Sequence, residues 1–198
     1  MTYKTILLDF DDTIVDFYDA EEKAFYNMAK HFNHNPTNDD FYHFREVNQS
    51  HWEAFQENKL TKEEVLTQRF VNYFKDYQIE VDGKQADHIF RDELAKAQPS
   101  FFDDTLETID YLRENHNIYI VTNGVTETQQ RRIAQTTFNE TLNGIYISEQ
   151  TGFQKPMPEF FDYIFKEIGE QQRESAIIVG DSLTSDILGG YNARIATC

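Results

Sequence analysis

The residues best suited to chemistry begin at Asp9, where an apolar run gives way to Asp9-Phe10-Asp11-Asp12-Thr13. Side chains alternate along an extended chain, so Asp9 and Asp11 are expected on one side, with Phe10 and Asp12 on the other. Like charges brought close raise one pKa strongly unless a cation or a proton is shared. A second acidic cluster has the same placement. Ile177-Ile178-Val179-Gly180 reads as a strand, and Asp181-Ser182-Leu183-Thr184-Ser185-Asp186 as a turn entering a short helix. Gly180 would free the backbone where it meets a ligand. If this strand lies beside the first, Asp181 joins Asp9 and Asp11 in one small volume. Carboxylates gathered in that way are intolerable unpaired. Oxygen ligands suit a hard divalent cation, Mg2+ above all, and no His or Cys stands near them in the sequence to favour a transition metal.

Two further pieces point to an anion. Ile118-Tyr119-Ile120-Val121 runs into Thr122-Asn123-Gly124, with a helix expected from about Thr126. A hydroxyl and backbone N–H groups at a strand end form an anion nest, although Thr-Asn-Gly is also a common turn. In Gly152-Phe153-Gln154-Lys155-Pro156 the proline holds Lys155 out of a helix. A lone lysine is ordinarily a solvated surface charge. On an acidic chain, one fixed before a proline and between two strand-end motifs stands out.

These residues need a scaffold, and the apolar pattern supplies one. Lys4 to Asp9, Asn117 to Thr122, Gly144 to Ser148 and Ser175 to Gly180 are short runs rich in Ile, Val, Leu and Tyr, each ending in Asp, Thr, Asn, Ser or Gly. They read as strands buried on both faces of a parallel sheet. Leu106, Ile109 and Leu112 have helical spacing, as do Phe160, Phe161, Ile164, Phe165 and Ile168, the latter set between Pro158 and Gly169. The expected fold is α/β, a doubly wound, Rossmann-like parallel sheet in which ligands bind at the carboxyl ends of the strands.

Residues 16–97 break the rhythm. Ala24, Phe25, Met28, Ala29 and Phe32 form one helical stripe, and Phe41, Phe44, Val47, His51, Trp52 and Phe55 another. Thr61 with Glu64 reads as a capping box before Val65, Leu66, Phe70, Tyr73, Phe74 and Tyr77, and Ala86, Ile89, Phe90 and Leu94 make a fourth stripe before Pro99. This segment carries 15 of the 29 aromatics, which small helical bundles use as bulky core. The expected organisation is therefore a catalytic core of residues 1–15 and 98–198 with an all-helical cap inserted at 16–97. His31 and His34 lie three apart without an acid or Cys to complete a ligand set, and read as surface or packing residues.

The 198 residues carry 18 Lys and Arg against 35 Asp and Glu, a formal charge of −17. That balance excludes a nucleic-acid polymer, whose phosphates need a surplus of Lys and Arg, and an anionic membrane surface. The single cysteine, Cys198, cannot form an intramolecular disulfide. The short apolar run after Met1 meets carboxylates by Asp9, unlike a signal peptide, and no stretch approaches the length of a membrane span. A cytoplasmic protein is expected.

Asp-x-Asp-x-Thr, a strand-end Thr, a Lys and Gly-Asp-x4-Asp, in this order, resemble the four motifs of the haloacid dehalogenase-like hydrolase superfamily over the whole chain. The insert after the first motif resembles the helical C1 cap of that superfamily. Leu8 to Asp16, Thr151 to Pro156 and Gly180 to Ile187 look most similar to its pyrimidine 5′-nucleotidase branch. The resemblance implies a Mg2+-dependent phosphomonoester hydrolase acting through an aspartyl-phosphate. In it Asp9 is the nucleophile and Asp11 the general acid and base. Mg2+ is held by Asp9, the backbone carbonyl of Asp11, and Asp181. Thr122, the N–H of Asn123 and Lys155 bind the phosphoryl oxygens. Asp186 orients Lys155 or reaches the metal through water, and Thr13 and Ser182 support the site from behind. Phe17 and Tyr18 are the best candidates for substrate contact from the cap. Relatives usually continue past Asn192 to Cys198 with a final helix, so a less covered sheet edge is expected here.

Three rivals remain at this level. Dehalogenases of the same superfamily have no need of an acid at Asp11, which disfavours that activity. A sugar-phosphate phosphatase or phosphomutase shares all four motifs. A non-catalytic phospho-receiver would place its phosphate-accepting Asp at the end of a later strand, where none is found before Lys155, and lacks a long helical insert.

Overall fold

Burial on both faces marks the first strand as the centre of a sheet. In the computed structural model, which describes residues 3–198, β1 (Thr5–Leu8) is buried along its whole length. In chain order there follow β2 (Val15–Asp16), α1 (Tyr18–His31), α2 (Asn38–Gln56), α3 (Lys62–Asp76), α4 (Gly83–Lys96), β3 (Ser100–Phe101), α5 (Thr105–Arg113) and β4 (Asn117–Thr122). The chain then forms α6 (Thr126–Ile133), α7 (Phe138–Thr141), β5 (Gly144–Ile147), α8 (Ser148–Thr151), α9 (Pro158–Ile168), β6 (Ala176–Val179), α10 (Leu188–Ala193) and β7 (Ala196–Thr197). Its residues divide into two units: the chain up to Phe17 with Gln98–Cys198, and Tyr18–Ala97.

The first unit is a five-stranded sheet in the order β5-β4-β1-β6-β7, every pairing parallel. The chain winds outward from β1 through β4 to β5, then returns to β6 on the other side, so the topological switch lies at β1. Leu8 is level with Ile120 on β4 and with Val179 on β6, which brings Asp9 to the switch between two strand ends. Alternation along β1 serves both faces. Leu7 packs with Val121, Ile178, Phe160, Phe161 and Ile164, the last three from α9. Ile6 and Leu8 pack with Ile120, Ile109 of α5, Ile133 of α6 and Phe138 of α7. Pro158 opens α9 at its first turn and Gly169 closes it, as its sequence implied.

Three expected strands are shorter by a residue at an end, and Ser148 opens α8 instead of closing β5. The boundary expected after Val15 falls after Phe17. Val15 and Asp16 pair antiparallel with Phe101 and Ser100, which ties them to the sheet-bearing unit. A two-residue ladder has no hydrophobic period to read, so this long-range pairing was invisible in the pattern.

The second unit consists of α1 to α4. Capping boxes at Thr37 with Asp40 and Thr61 with Glu64 start α2 and α3, and Asp82 caps α4. Phe25, Phe41, Phe44, Phe70, Tyr73, Phe74 and Phe90 are fully enclosed, with Phe44 stacked on Phe25 at 4.8 Å. The aromatics of this segment thus serve mainly as core. His34 bonds the Tyr73 hydroxyl at 3.0 Å and His31 is exposed, in keeping with packing and surface roles. A polar chain crosses this core: Arg69 donates to Asn48 and Asp87, Arg91 also to Asp87, and Asn48 and Arg45 to Glu21. Removing one member strands a buried charge. Asp87→Ala is expected to destabilise the protein by about 3–5 kcal/mol, read as a lower urea midpoint. No described helix is long and apolar enough to cross a membrane.

Candidate active site

The carboxyl end of β1 and its two neighbours converge on Lys155. Its ammonium, 1% exposed, donates to Asp9 Oδ1 at 2.6 Å, Asp186 Oδ1 at 2.6 Å and the Val121 carbonyl at 2.9 Å. All three of its hydrogens are therefore engaged. The backbone of Lys155 is latched as well: its N–H donates to the Asn123 side chain at 2.9 Å, and Asn123 Nδ2 donates back to the Lys155 carbonyl at 2.8 Å. The strand-end turn after β4 thus positions the lysine that follows α8.

Carboxylate oxygens of Asp9, Asp181 and Asp186 all lie within 4.8 Å of one another, Asp181 exposed and the other two buried. Three carboxylates, hard oxygen donors at an open strand end, suit a divalent cation such as Mg2+. Burial pushes the Asp9 carboxyl up to about 7, with Asp186 and Asp11 adding and Lys155 opposing. Burial also raises Asp181, with Asp186 and Asp12 adding. Burial alone would lower the Lys155 ammonium, but Asp9 and Asp186 hold it above its usual value.

These shifts give a pH dependence of defined sign. A carboxyl raised in the folded state binds its proton more tightly than in the unfolded chain, so its contribution to stability is lost as pH rises through about 7. A cation must displace that proton from Asp9, so metal competes best above that pH. The rise in Tm on adding Mg2+ is expected to grow between pH 5.5 and 8. Thermal melts with Mg2+ and with a chelator check this, and a pH-independent shift would count against Asp9 as a ligand.

Asp11, expected at the metal through its backbone carbonyl, does not bring its carboxylate to the gathered three. Its Oδ2 accepts from Gln129 Nε2 at 2.7 Å and its Oδ1 from Arg132 at 2.5 Å. The chain folds back just beyond Asp11, with Ile14 and Val15 donating to the Phe10 carbonyl and Asp12 left-handed at φ 57°. Of the metal residues expected from sequence, Asp9 and Asp181 offer side chains to the cluster. Asp186, expected to orient Lys155 or to reach the metal through water, accepts from the Lys155 ammonium and stands in the cluster itself. Gly180 makes room for Asp186, since a Cβ there would lie 2.3 Å from the Asp186 carboxyl carbon.

Of the remaining expected residues, all but Tyr18 belong to the sheet-bearing unit. The Thr122 hydroxyl accepts from Gly124 N–H at 3.2 Å and Gln129 Nε2 at 2.9 Å, which leaves its own hydrogen to donate. Thr13 Oγ1 accepts from the Asp181 N–H at 3.1 Å and lies 3.4 Å from Asp9 Oδ2. Ser182 caps the turn Leu183–Ile187, and its N–H donates to Asp186 Oδ2 at 3.2 Å. Phe17 lies 5.0 Å from the Arg132 guanidinium, and Tyr18 bonds Tyr42 at 3.3 Å. Sequence reasoning missed Gln129 and Arg132. Their only signal was a three-residue spacing on a helix just after Thr-Asn-Gly, within a run, Gln129-Gln130-Arg131-Arg132, in which nothing singles them out.

Comparison with known proteins accounts for this arrangement. The chain is 40% identical over 196 residues to the HAD-hydrolase YfnB of Bacillus subtilis, covering 99% of this chain and 83% of that one. The crystal structure of YfnB bound to magnesium superposes with a TM-score of 0.94 at 39% identity, over 100% of this chain and 88% of that one. The pyrimidine 5′-nucleotidase PynA of Streptococcus pneumoniae is 32% identical over 198 residues, 100% of this chain and 83% of its own. YjjG of Escherichia coli, also a pyrimidine 5′-nucleotidase, is 28% identical over 200 residues, 100% of this chain and 86% of its own. The family model for haloacid dehalogenase-like hydrolases matches residues 3–194. With the match running from before β1 to the end of α10, this chain is an enzyme that belongs to the haloacid dehalogenase-like hydrolase family.

Proposed function

We propose that this hydrolase is a Mg2+-dependent phosphomonoesterase with Asp9 as its nucleophile, and that its substrates are pyrimidine nucleoside 5′-monophosphates. The observation that carries the reading is the buried Asp9 carboxylate, fixed by Lys155 and faced by Asp181 and Asp186. The substrate class rests on the two pyrimidine 5′-nucleotidases among its relatives and on the motif phrases shared with that branch.

Asp9 attacks the phosphorus, an aspartyl-phosphate bond forms, and the bond from phosphorus to the nucleoside oxygen breaks. Asp11 gives a proton to the leaving alkoxide. It then takes one from the water that attacks the phosphorus, releasing phosphate and restoring Asp9. Thr122 and the Asn123 N–H donate to phosphoryl oxygens, where charge spreads in the transition state, and Lys155 adds its charge there once it yields one of its present acceptors. Asp9 and Asp181, with the Asp11 carbonyl, would hold Mg2+. When bound it supplies positive charge against the repulsion between a dianionic ester and an anionic nucleophile. In this reading Tyr18–Ala97 is the cap that selects the leaving group. The acid at Asp11 disfavours a dehalogenase, which has no alkoxide to protonate.

The test is a screen of phosphomonoesters with Mg2+ and with a chelator. Expected are turnover only with the metal, one phosphate released per ester, and higher kcat/KM for pyrimidine nucleoside monophosphates than for sugar phosphates. The reverse preference would discard the nucleotide reading, and isomerised sugar phosphate without released phosphate would make the protein a mutase.

A further inference from the structure

Neither Arg132 nor Gln129 has a role in the reaction just described, yet both are 2% exposed and both meet Asp11. Arg132 lies between two rings, 5.1 Å from the centre of Phe10 and 5.0 Å from that of Phe17, and also donates to Gln129 Oε1 at 2.9 Å. A guanidinium packed near two aromatic rings and bonded to Asp11 and Gln129 has its fork of N–H groups aimed before any ligand arrives, which an ammonium in its place cannot reproduce. Gln129 uses one amide group in two directions, to Asp11 Oδ2 and to the Thr122 hydroxyl. Gly124 is the position that lets it in: a Cβ there would lie 2.5 Å from the Gln129 side chain. Both oxygens of Asp11 are thus set by one helix, and that helix also sets the hydroxyl expected to bind phosphate.

We propose that Arg132 and Gln129 are positioning residues, which aim the Asp11 carboxylate at the reacting oxygen and hold it in register with the Thr122 hydroxyl. The proposal rests on the assignment of Asp11 as proton donor and acceptor and deepens it. Neither residue touches substrate. Arg132 acts through Asp11, and Gln129 through Asp11 and Thr122.

Proton transfer by a placed side chain is worth roughly 10²–10⁴-fold, so loss of its placement should cost a part of that, about 10–100-fold in kcat. The signature depends on the leaving group. p-Nitrophenolate departs without a proton, so with p-nitrophenyl phosphate only the water step needs Asp11. Arg132→Ala should then give a burst of about one equivalent of p-nitrophenolate per active site before a slow steady state, and acid quenching should trap phosphate on the protein. With an alkyl phosphate both steps need Asp11, and the variant should show a loss without a burst. Guanidinium ion in the buffer should restore part of the rate to Arg132→Ala, and Arg132→Lys should show the same burst in milder form. Gln129→Leu, which removes the two bonds its amide donates and the one it accepts from Arg132, should lower kcat and raise KM for phosphate esters through Thr122.

An unchanged kcat in Arg132→Ala, or equal losses on both esters with no burst and no rescue by guanidinium, would overturn the proposal and leave Arg132 a packing residue. If Arg132→Ala does not fold, the lysine variant is read in the same two assays with the same outcomes. Failure of the underlying reading looks different: wild-type protein with Mg2+ would then release no phosphate from either ester, and the proposal would fall with it.

Discussion

Asp9→Asn should abolish turnover, by more than about 10⁴-fold in kcat, while leaving the protein folded. The loss is total because an amide oxygen cannot form the phosphoryl bond that begins the cycle, and no neighbouring group can replace it. Asp181 and Asp186 stand on the other loop, and Asp186 is itself tied to Lys155 at 2.6 Å. The fold should survive because burial already disfavours the charged form of Asp9, whose carboxyl is pushed up to about 7. A neutral isostere at that place removes a costly buried anion and still leaves Lys155 with Asp186 and the Val121 carbonyl. The same change removes one negative charge facing an anionic ester, so the inactive variant should bind phosphate at least as tightly as wild type. Phosphate release from p-nitrophenyl phosphate and calorimetric titration with inorganic phosphate read the two halves. Turnover within tenfold of wild type would mean that Asp9 is not the nucleophile.

What could be read from the sequence, and what could not, divides along the range of the interactions. A strand buried on both faces leaves a short apolar run, and Ile118 to Val121 and Ile177 to Val179 announced theirs because parallel neighbours and covering helices demand the same residues. Acids directly after such a run imply a site at a strand end, and Asp9, Asp181 and Asp186 do meet there. Lys155 emerged from its place before Pro156 and between two motifs, and it proved to be the cation at the centre. The partners of Asp11, Arg132 and Gln129, were not legible, because what selects them is the distance from α6 to the loop after β1, more than a hundred residues away in the chain. Gly180 was recognised as special, but the need of the Asp186 side chain for its space could not be read, since a buried side chain and a ligand ask the same thing of a glycine.

Lys155→Met should separate two roles that coincide in one ammonium. The first is structural. Without it Asp9 and Asp186 face each other buried, with no cation between them, and breaking such a set costs about 3–5 kcal/mol. That loss should be greatest with a chelator and at high pH, where Asp9 is ionised, and Mg2+ should recover much of it by offering the charge from the Asp181 side. The second role is catalytic. Loss of a positive donor to the transferring phosphoryl group should cost about 2–4 kcal/mol of transition-state stabilisation, roughly 30- to 1,000-fold in kcat/KM, and this should persist at saturating Mg2+. A cation bound by Asp9 and Asp181 cannot occupy the place where Nζ donates to the Val121 carbonyl, on the side of the β4 strand end and the Thr122 hydroxyl. Melting curves and initial rates on the same samples, with and without Mg2+, decide the matter. If the metal restores stability and rate together, Lys155 only balances charge. If it restores stability alone, the lysine acts on the substrate.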